Sequence, residues 1–135
     1  MYTNGRGVPQ DYVQAMKWYR LAADQGYASA QNNVGAMYYN GQGVPQDDVQ
    51  AAKWFPLAAD QGDAQAQANL GLMYYSGRGV PKDFVQAHMW FNLVAAQGIV
   101  NGAKGRDLRD LVEEQMTPQQ ITEAEELARN WKPKK

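Results

Sequence analysis

Residues 41–62, GQGVPQDDVQAAKWFPLAADQG, return at 77–98 as GRGVPKDFVQAHMWFNLVAAQG with 14 of 22 positions identical. Working outward, residues 5–40 match residues 41–76 at 25 of 36 positions, so the chain repeats itself every 36 residues. Self-similarity at such a period marks a solenoid, in which each unit buries its apolar face against the next.

Each unit reads as two helices. Ala28 to Asn40 (ASAQNNVGAMYYN) and Ala64 to Ser76 (AQAQANLGLMYYS) place Ala30, Val34, Met37 and Tyr38, or Ala66, Leu70, Met73 and Tyr74, at helical spacing; this is helix A. Gly41 or Gly77 follows as a residue able to take the left-handed conformation that ends a helix. The turn then runs GRGVPQD from Gly5, GQGVPQD from Gly41 and GRGVPKD from Gly77. Its proline pushes the preceding residue out of the α region, and Asp11, Asp47 or Asp83 is placed to cap the next helix. Gln14, Gln50 and Gln86 stand where a side chain can reach back to the cap. Helix B is therefore expected to start near those aspartates. It carries Ala15, Trp18, Tyr19 and Ala22, with copies Ala51, Trp54, Phe55 and Ala58, and it ends at Gly26, Gly62 or Gly98.

Glycine inside a helix costs about 1 kcal/mol relative to alanine, yet Gly35 and Gly71 share one interior position of helix A. Close helix approach compensates such a cost, and the expected filler is the tryptophan of helix B: Trp18, Trp54 and Trp90 are read as wedges between units. Pro56 falls near the middle of the second helix B, where Arg20 and Asn92 stand in the other units, and predicts a bend there.

These residues carry a resemblance to a known family. The spacing A-x-x-x-L-G-x-M-Y-x-x-G-x-G-V-P-x-D-x-x-x-A-x-x-W-F-x-x-A-A-x-x-G resembles the Sel1-like repeats, a branch of the tetratricopeptide-like α/α solenoids, over residues 1 to about 105. The 36-residue period with its G-x-G-V-P-x-D turn separates it from the 34-residue tetratricopeptide unit. The resemblance implies an all-α, right-handed solenoid of helix pairs with the A helices on the concave side. It also implies an adaptor in protein complexes, of a kind widespread in bacteria.

The expected organisation is one repeat domain: a truncated repeat and helix B over 1–26, repeats at 27–62 and 63–98, C-terminal capping helices at 99–131 and a short basic tail at 132–135. Met1 to Gly5 aligns with Met37 to Gly41, so the chain opens inside the last turn of a helix A whose front is missing. That leaves the first helix B uncovered around Trp18, Leu21 and Ala22, and self-association through this edge is expected. A signal peptide could stand upstream, which would favour a periplasmic or secreted location. At the other end Gly105 and Arg106 replace the signature of helix A, and Leu108, Leu111 and Val112 keep an apolar stripe. Thr117-Pro118-Gln119-Gln120 reads as a capping box opening a last helix with Ile121, Ala124, Leu127, Ala128 and Trp131 on one face. The tail reads as a frayed end.

Composition narrows the function. Of 135 residues 44% are hydrophobic, and 13 Lys+Arg stand against 14 Asp+Glu for a net charge of −1. Such a balance provides no field for gripping a phosphate backbone, so no nucleic-acid partner is expected. No apolar run approaches the roughly 20 residues of a membrane-spanning helix, so no membrane insertion is expected. With no Cys there is neither a disulfide framework nor a thiol nucleophile. Two serines, Ser29 and Ser76, and one histidine, His88, give poor material for a nucleophilic triad. His88 replaces Met16 and Ala52 and is expected to face solvent. The doublets Asp47-Asp48, Glu113-Glu114 and Glu125-Glu126 point about 100° apart on a helix and read as caps and solvated faces, not as metal sites. No catalytic, cofactor or metal site is expected. The alternative is hydrolysis, because some disulfide-rich members of the family that this chain resembles are β-lactamase-like; this chain has neither their cysteines nor an S-x-x-K.

What remains is a surface for a protein or peptide partner. On helix A, Ser29, Asn32, Ala36 and Asn40, then Gln65, Ala68, Leu72 and Ser76, fall together with Asn33 and Asn69 on the face opposite the core stripe. The resemblance places that face on the groove. An asparagine there can bond both the N–H and the C=O of an extended peptide, unless Asn33 and Asn69 are spent on a neighbouring helix; these two readings stay open. Tyr39 and Tyr75 are the candidate aromatic anchors.

Overall fold

The computed structural model describes residues 8–134, the side chains of 8–10, 99–101 and 103 apart. The remnant of helix A at Met1 to Asn4 and the first turn, from Gly5, fall outside these residues. Among the described residues seven helices follow one another: α1 (Val8–Asp24), α2 (Ala28–Asn40), α3 (Asp48–Ala59), α4 (Ala64–Ser76), α5 (Phe84–Ala95), α6 (Ile99–Glu113) and α7 (Pro118–Asn130). Helices α2, α4 and α6 are the A helices, and α1, α3 and α5 the B helices. Each packs on the next from α1 to α6, whereas α7 turns back and packs on α5.

The 36-residue period sets the local chemistry. α2 and α4 both end at a left-handed glycine, Gly41 at φ 70° and Gly77 at φ 73°, whose N–H bonds back to Met37 or Met73. A side chain in that conformation would be strained, which fixes glycine there. The Asp47 and Asp83 carboxylates then accept the backbone N–H of Gln50 and Gln86, as expected of caps. The first unit differs: α1 begins at Val8, so Asp11 lies within its first turn and does not cap it. Thr117 and Gln120 form the reciprocal capping box at the start of α7. α3 runs through Pro56 to Ala59 and is as long as α5.

The glycines of helix A do mark a close approach, but tryptophan is not what fills it. A Cβ placed on Gly35 would stand 2.7 Å from the ring of Phe55, and one on Gly71 would stand 2.5 Å from the ring of Phe91. The phenylalanine of helix B thus lies flat on the glycine of its own helix A. The neighbouring tryptophan, about 100° around the helix, points elsewhere. Trp54 packs against the cluster that Met16 and Ala23 of the preceding unit form with Val34 of its own, and Trp90 joins the cluster around Phe55 and Leu70, so these two do bridge units. Trp18 is 68% exposed, because the described residues offer it no preceding unit.

Glutamines stitch the units together. Gln31 on α2 donates to the carbonyl of Ala23, and Gln61, just past α3, donates to Gln31 Oε1 at 2.9 Å and to the carbonyl of Gly26. One repeat later Gln67 donates to Ala59, and Gln97 to Gln67 Oε1 at 2.8 Å and to Gly62. Gln67 is fully buried, so this ladder satisfies amides that would otherwise be costly and holds successive units in one register.

Three expectations about the surface are corrected. His88 does not face solvent: it is 0% exposed, with Nε2 2.7 Å from Oε2 of Glu113. Met16, its counterpart in the first unit, is buried as well, so the position belongs to the core. Glu113 and Asp48 are likewise more than solvated carboxylates, since Asp48 receives two hydrogen bonds from Arg78. Nor is the tail frayed. Trp131 meets Trp90 edge-on with ring centroids 6.1 Å apart, and the Lys134 N–H donates to the carbonyl of Asp60 at 2.6 Å. Lys134 Nζ lies 3.4 Å from the Asp60 carboxylate.

Candidate functional site

The candidate site is the face of α2 and α4 turned away from the core. Helical spacing sends Ala30, Val34 and Met37 into the core, together with Ala66, Leu70 and Met73, and leaves the opposite side to the residues singled out above. Ser29, Asn40, Gln65 and Ser76 are exposed. Asn33, Ala36, Tyr39, Asn69, Leu72 and Tyr75 are half-buried along the same side. Asn32 and Ala68, each 4% exposed, do not belong to an open face. Asn32 points at the next A helix: its Nδ2 donates to Gln65 Oε1 at 3.3 Å, and its Oδ1 accepts from Asn69 Nδ2 at 3.1 Å. Asn69 is therefore partly spent on its neighbour and keeps one N–H and its carbonyl oxygen. Asn33 bonds to no side chain or backbone group among the described residues.

Two depressions interrupt this face. Between α1 and α2 lies a cleft of about 300 Å3 bordered by Tyr12, Tyr19, Asn33, Ala36 and Gln42, with Asp11 at one wall. Asp11 Oδ2 is buried there with no hydrogen-bond partner among the described residues. One repeat on, Tyr39, Phe55, Asn69 and Leu72 enclose a crevice of about 30 Å3. Leu72 of the smaller crevice stands where the larger cleft has Ala36. Tyr19 and Phe55, which no reading of helix A alone would include, form the floors of these depressions. They hold the same helix B position, and that periodicity was the signal for them.

The tyrosines are held in place. Tyr39 lies against Phe55, with centroids 6.4 Å apart, and under the guanidinium of Arg78 at 3.9 Å from its ring centre. Tyr75 lies against Phe84 at 5.8 Å. Arg78 is itself fixed by its paired bonds to Asp48, at 2.8 and 3.1 Å. Those bonds hold the Asp48 carboxyl below its ordinary value and raise the Arg78 guanidinium, against the opposing effect of burial. In the preceding unit the same two positions carry Gln42 and Tyr12, joined by one hydrogen bond of 3.2 Å. The junction between units is thus conserved in geometry and varied in charge.

Residues 1–27, 28–63 and 64–99 match the Sel1 repeat in three consecutive copies. The chain belongs to the Sel1 repeat family. Such repeats typically serve as protein–protein interaction scaffolds, and the fold is generally non-catalytic. Two solved structures agree. One is a protective antigen of uropathogenic Escherichia coli with an SLR fold, 38% identical at a TM-score of 0.83 over 88% of this chain. The other is a Sel1 repeat protein from Oxalobacter formigenes, 41% identical at a TM-score of 0.60 over 62% of this chain. The chain spans 25% of the length of the first and 63% of the second. No curated protein matches. Among the described residues, no helix of this Sel1 repeat chain is long and apolar enough to cross a membrane. No three metal-binding side chains come together among them either.

Proposed function

We propose that this Sel1 repeat chain is a non-catalytic adaptor that binds an extended segment of a partner protein in the concave groove, along the face of α2 and α4 turned away from the core. The observation that carries this reading is the cleft between α1 and α2, where Asn33 and the buried Asp11 Oδ2 stand with no partner among the described residues. A carboxylate accepts a backbone N–H, and an asparagine amide bonds both the N–H and the C=O of a strand, so the pair suits an extended main chain. Ser29, Asn40 and Gln65 would border the segment, with Tyr39, Leu72 and Tyr75 as its rigid apolar anchors. Asn32 and Ala68 lie outside this contact set.

Near-neutral charge makes a nucleic-acid partner a poor fit, and His88, fully buried against Glu113, has no access to a substrate. The first observation favours a protein partner over a nucleic acid, and the second favours the adaptor over hydrolysis. The same burial makes His88 unsuitable as a silent control for binding, so exposed Lys53 on α3 takes that place.

The test is to select binders from a library of unstructured peptides against the whole chain and titrate them into variants. Asn33→Ala, Asn69→Ala and Tyr75→Ala should each weaken binding by about 1 kcal/mol or more, within the range of interface hot spots, while Lys53→Ala leaves it unchanged. Melting temperatures measured in parallel separate lost contact from lost fold. Loss confined to Lys53→Ala would refute the assignment.

A further inference from the structure

The chain carries a ligand of its own. Trp131, Pro133 and Lys134 cross from α7 to the end of α3 and lie in the seam between α3 and α5. Trp131 stands against Trp90, a Cβ placed on Gly62 would lie 4.0 Å from Trp131 and 3.9 Å from Pro133, and Lys134 bonds Asp60 through its N–H and its ammonium. The repeat rebuilds this seam 36 residues earlier, between α1 and α3, where Trp54, Gly26 and Asp24 stand for Trp90, Gly62 and Asp60. The seams share a frame, because Gln61 bonds Gly26 and Gln31 as Gln97 bonds Gly62 and Gln67. Yet the earlier seam is open. A cleft of about 470 Å3 opens beside Gly26, lined by Gln25, Gly26, Gln31, Leu57 and Gln61 and bordered also by the Asp60–Lys134 pair of the later seam.

We propose that the open seam between the ends of α1 and α3 is a second docking site, on the other layer of the solenoid from the A-helix face. Its occupant is an extended partner segment with the chemistry of the chain's own tail: an aromatic residue, a spacer, proline and lysine. The aromatic packs beside Trp54, the proline rides over Gly26, and the lysine pairs with Asp24. One difference tunes the site. Arg20, replaced by Pro56 in the later seam, lies 5.0 Å from the Trp54 ring centre and 3.6 Å from Asp24. Both members of that ion pair are about half exposed, so it is weak and yields to an incoming cation, at some loss of affinity.

The probe is a capped peptide of residues 128–134, Ala-Arg-Asn-Trp-Lys-Pro-Lys, titrated into the whole chain and followed by amide NMR shifts. The peptide should perturb Gly26 and the Gln61 side chain while leaving Gly62 and Gln97 in place. Asp24→Asn, or replacement of the peptide tryptophan by alanine, should weaken binding about fivefold, in line with a partly exposed charge pair. Arg20→Ala should strengthen it. The proposal is overturned if no shift appears at millimolar peptide, or if Asp24→Asn has no effect. It is equally overturned if the shifts fall on Gly62 and Gln97, which would mean that the peptide only displaces the tail. Unchanged binding in Asn33→Ala keeps this test separate from that of the A-helix face.

Discussion

Replacing Gly35 by alanine sets two effects against each other in a way the structure decides. In an open helix the change should stabilise by about 1 kcal/mol, because alanine restricts the unfolded chain and favours the helix. Here the new methyl group would meet the Phe55 ring at 2.7 and 2.8 Å, well inside van der Waals contact. Phe55 is 1% exposed and cannot swing away, so helix A and helix B must separate or the ring must leave its rotamer. Overpacking of this kind costs about 1–3 kcal/mol. The clash exceeds the propensity gain, and Gly35→Ala should destabilise by up to about 2 kcal/mol net. Urea denaturation of the single and double variants measures this directly. Phe55→Leu on its own should cost stability, yet in the Gly35→Ala background it should cost about 1 kcal/mol less, since the smaller side chain relieves the clash. A more stable Gly35→Ala, or strict additivity in the cycle, would refute the claim that the glycine exists to seat the phenylalanine.

Three further outcomes follow from named contacts. Gln67→Ala should cost about 1–3 kcal/mol in denaturant unfolding, because it strands the buried Ala59 carbonyl and takes one of its bonds from the exposed Gln97 amide, whereas Gln61→Ala should cost less. Asp48→Asn should cost about 1 kcal/mol at neutral pH, as expected of a paired but partly exposed ion pair. Arg78 lowers the Asp48 carboxyl in the folded state, so this stabilisation is present above the ordinary value of 3.8 and fades as pH falls below it; the stabilities of the two proteins should converge in strong acid. The exposed Trp18 and Leu21 of α1 should drive concentration-dependent self-association in sedimentation experiments, and replacing both by serine should abolish it.

The period, the glycine-terminated A helices and the aspartate caps of α3 and α5 were legible because each rests on residues adjacent in sequence. The filler of the Gly35 and Gly71 positions was not. Tryptophan and phenylalanine are neighbours on helix B, and hydropathy cannot tell which of two adjacent aromatics turns toward its own unit. The burial of His88 could have been read from Met16, its apolar counterpart, but Ala52 is neutral on the point. Asn32 looked like a groove residue because polarity suggests solvent, whereas its amide is matched by Gln65 and Asn69 on the next A helix. The glutamine ladder left a trace in the recurrence of Gln31 at 67 and of Gln61 at 97, which apolar periodicity does not register. The return of the tail to Asp60 depends on α7 packing on α5, a long-range arrangement without a local signal.

The most direct test of the adaptor reading is an amide NMR spectrum of the chain with a library-selected extended peptide, because the Asn33 and Asn69 side-chain NH2 groups report individually on main-chain bonding. The account predicts that both move on titration, together with Tyr39 and Tyr75, while the exposed residues of α3 and α5 stay fixed. Shifts confined to the B helices, with the Asn33 and Asn69 side chains unmoved, would contradict it.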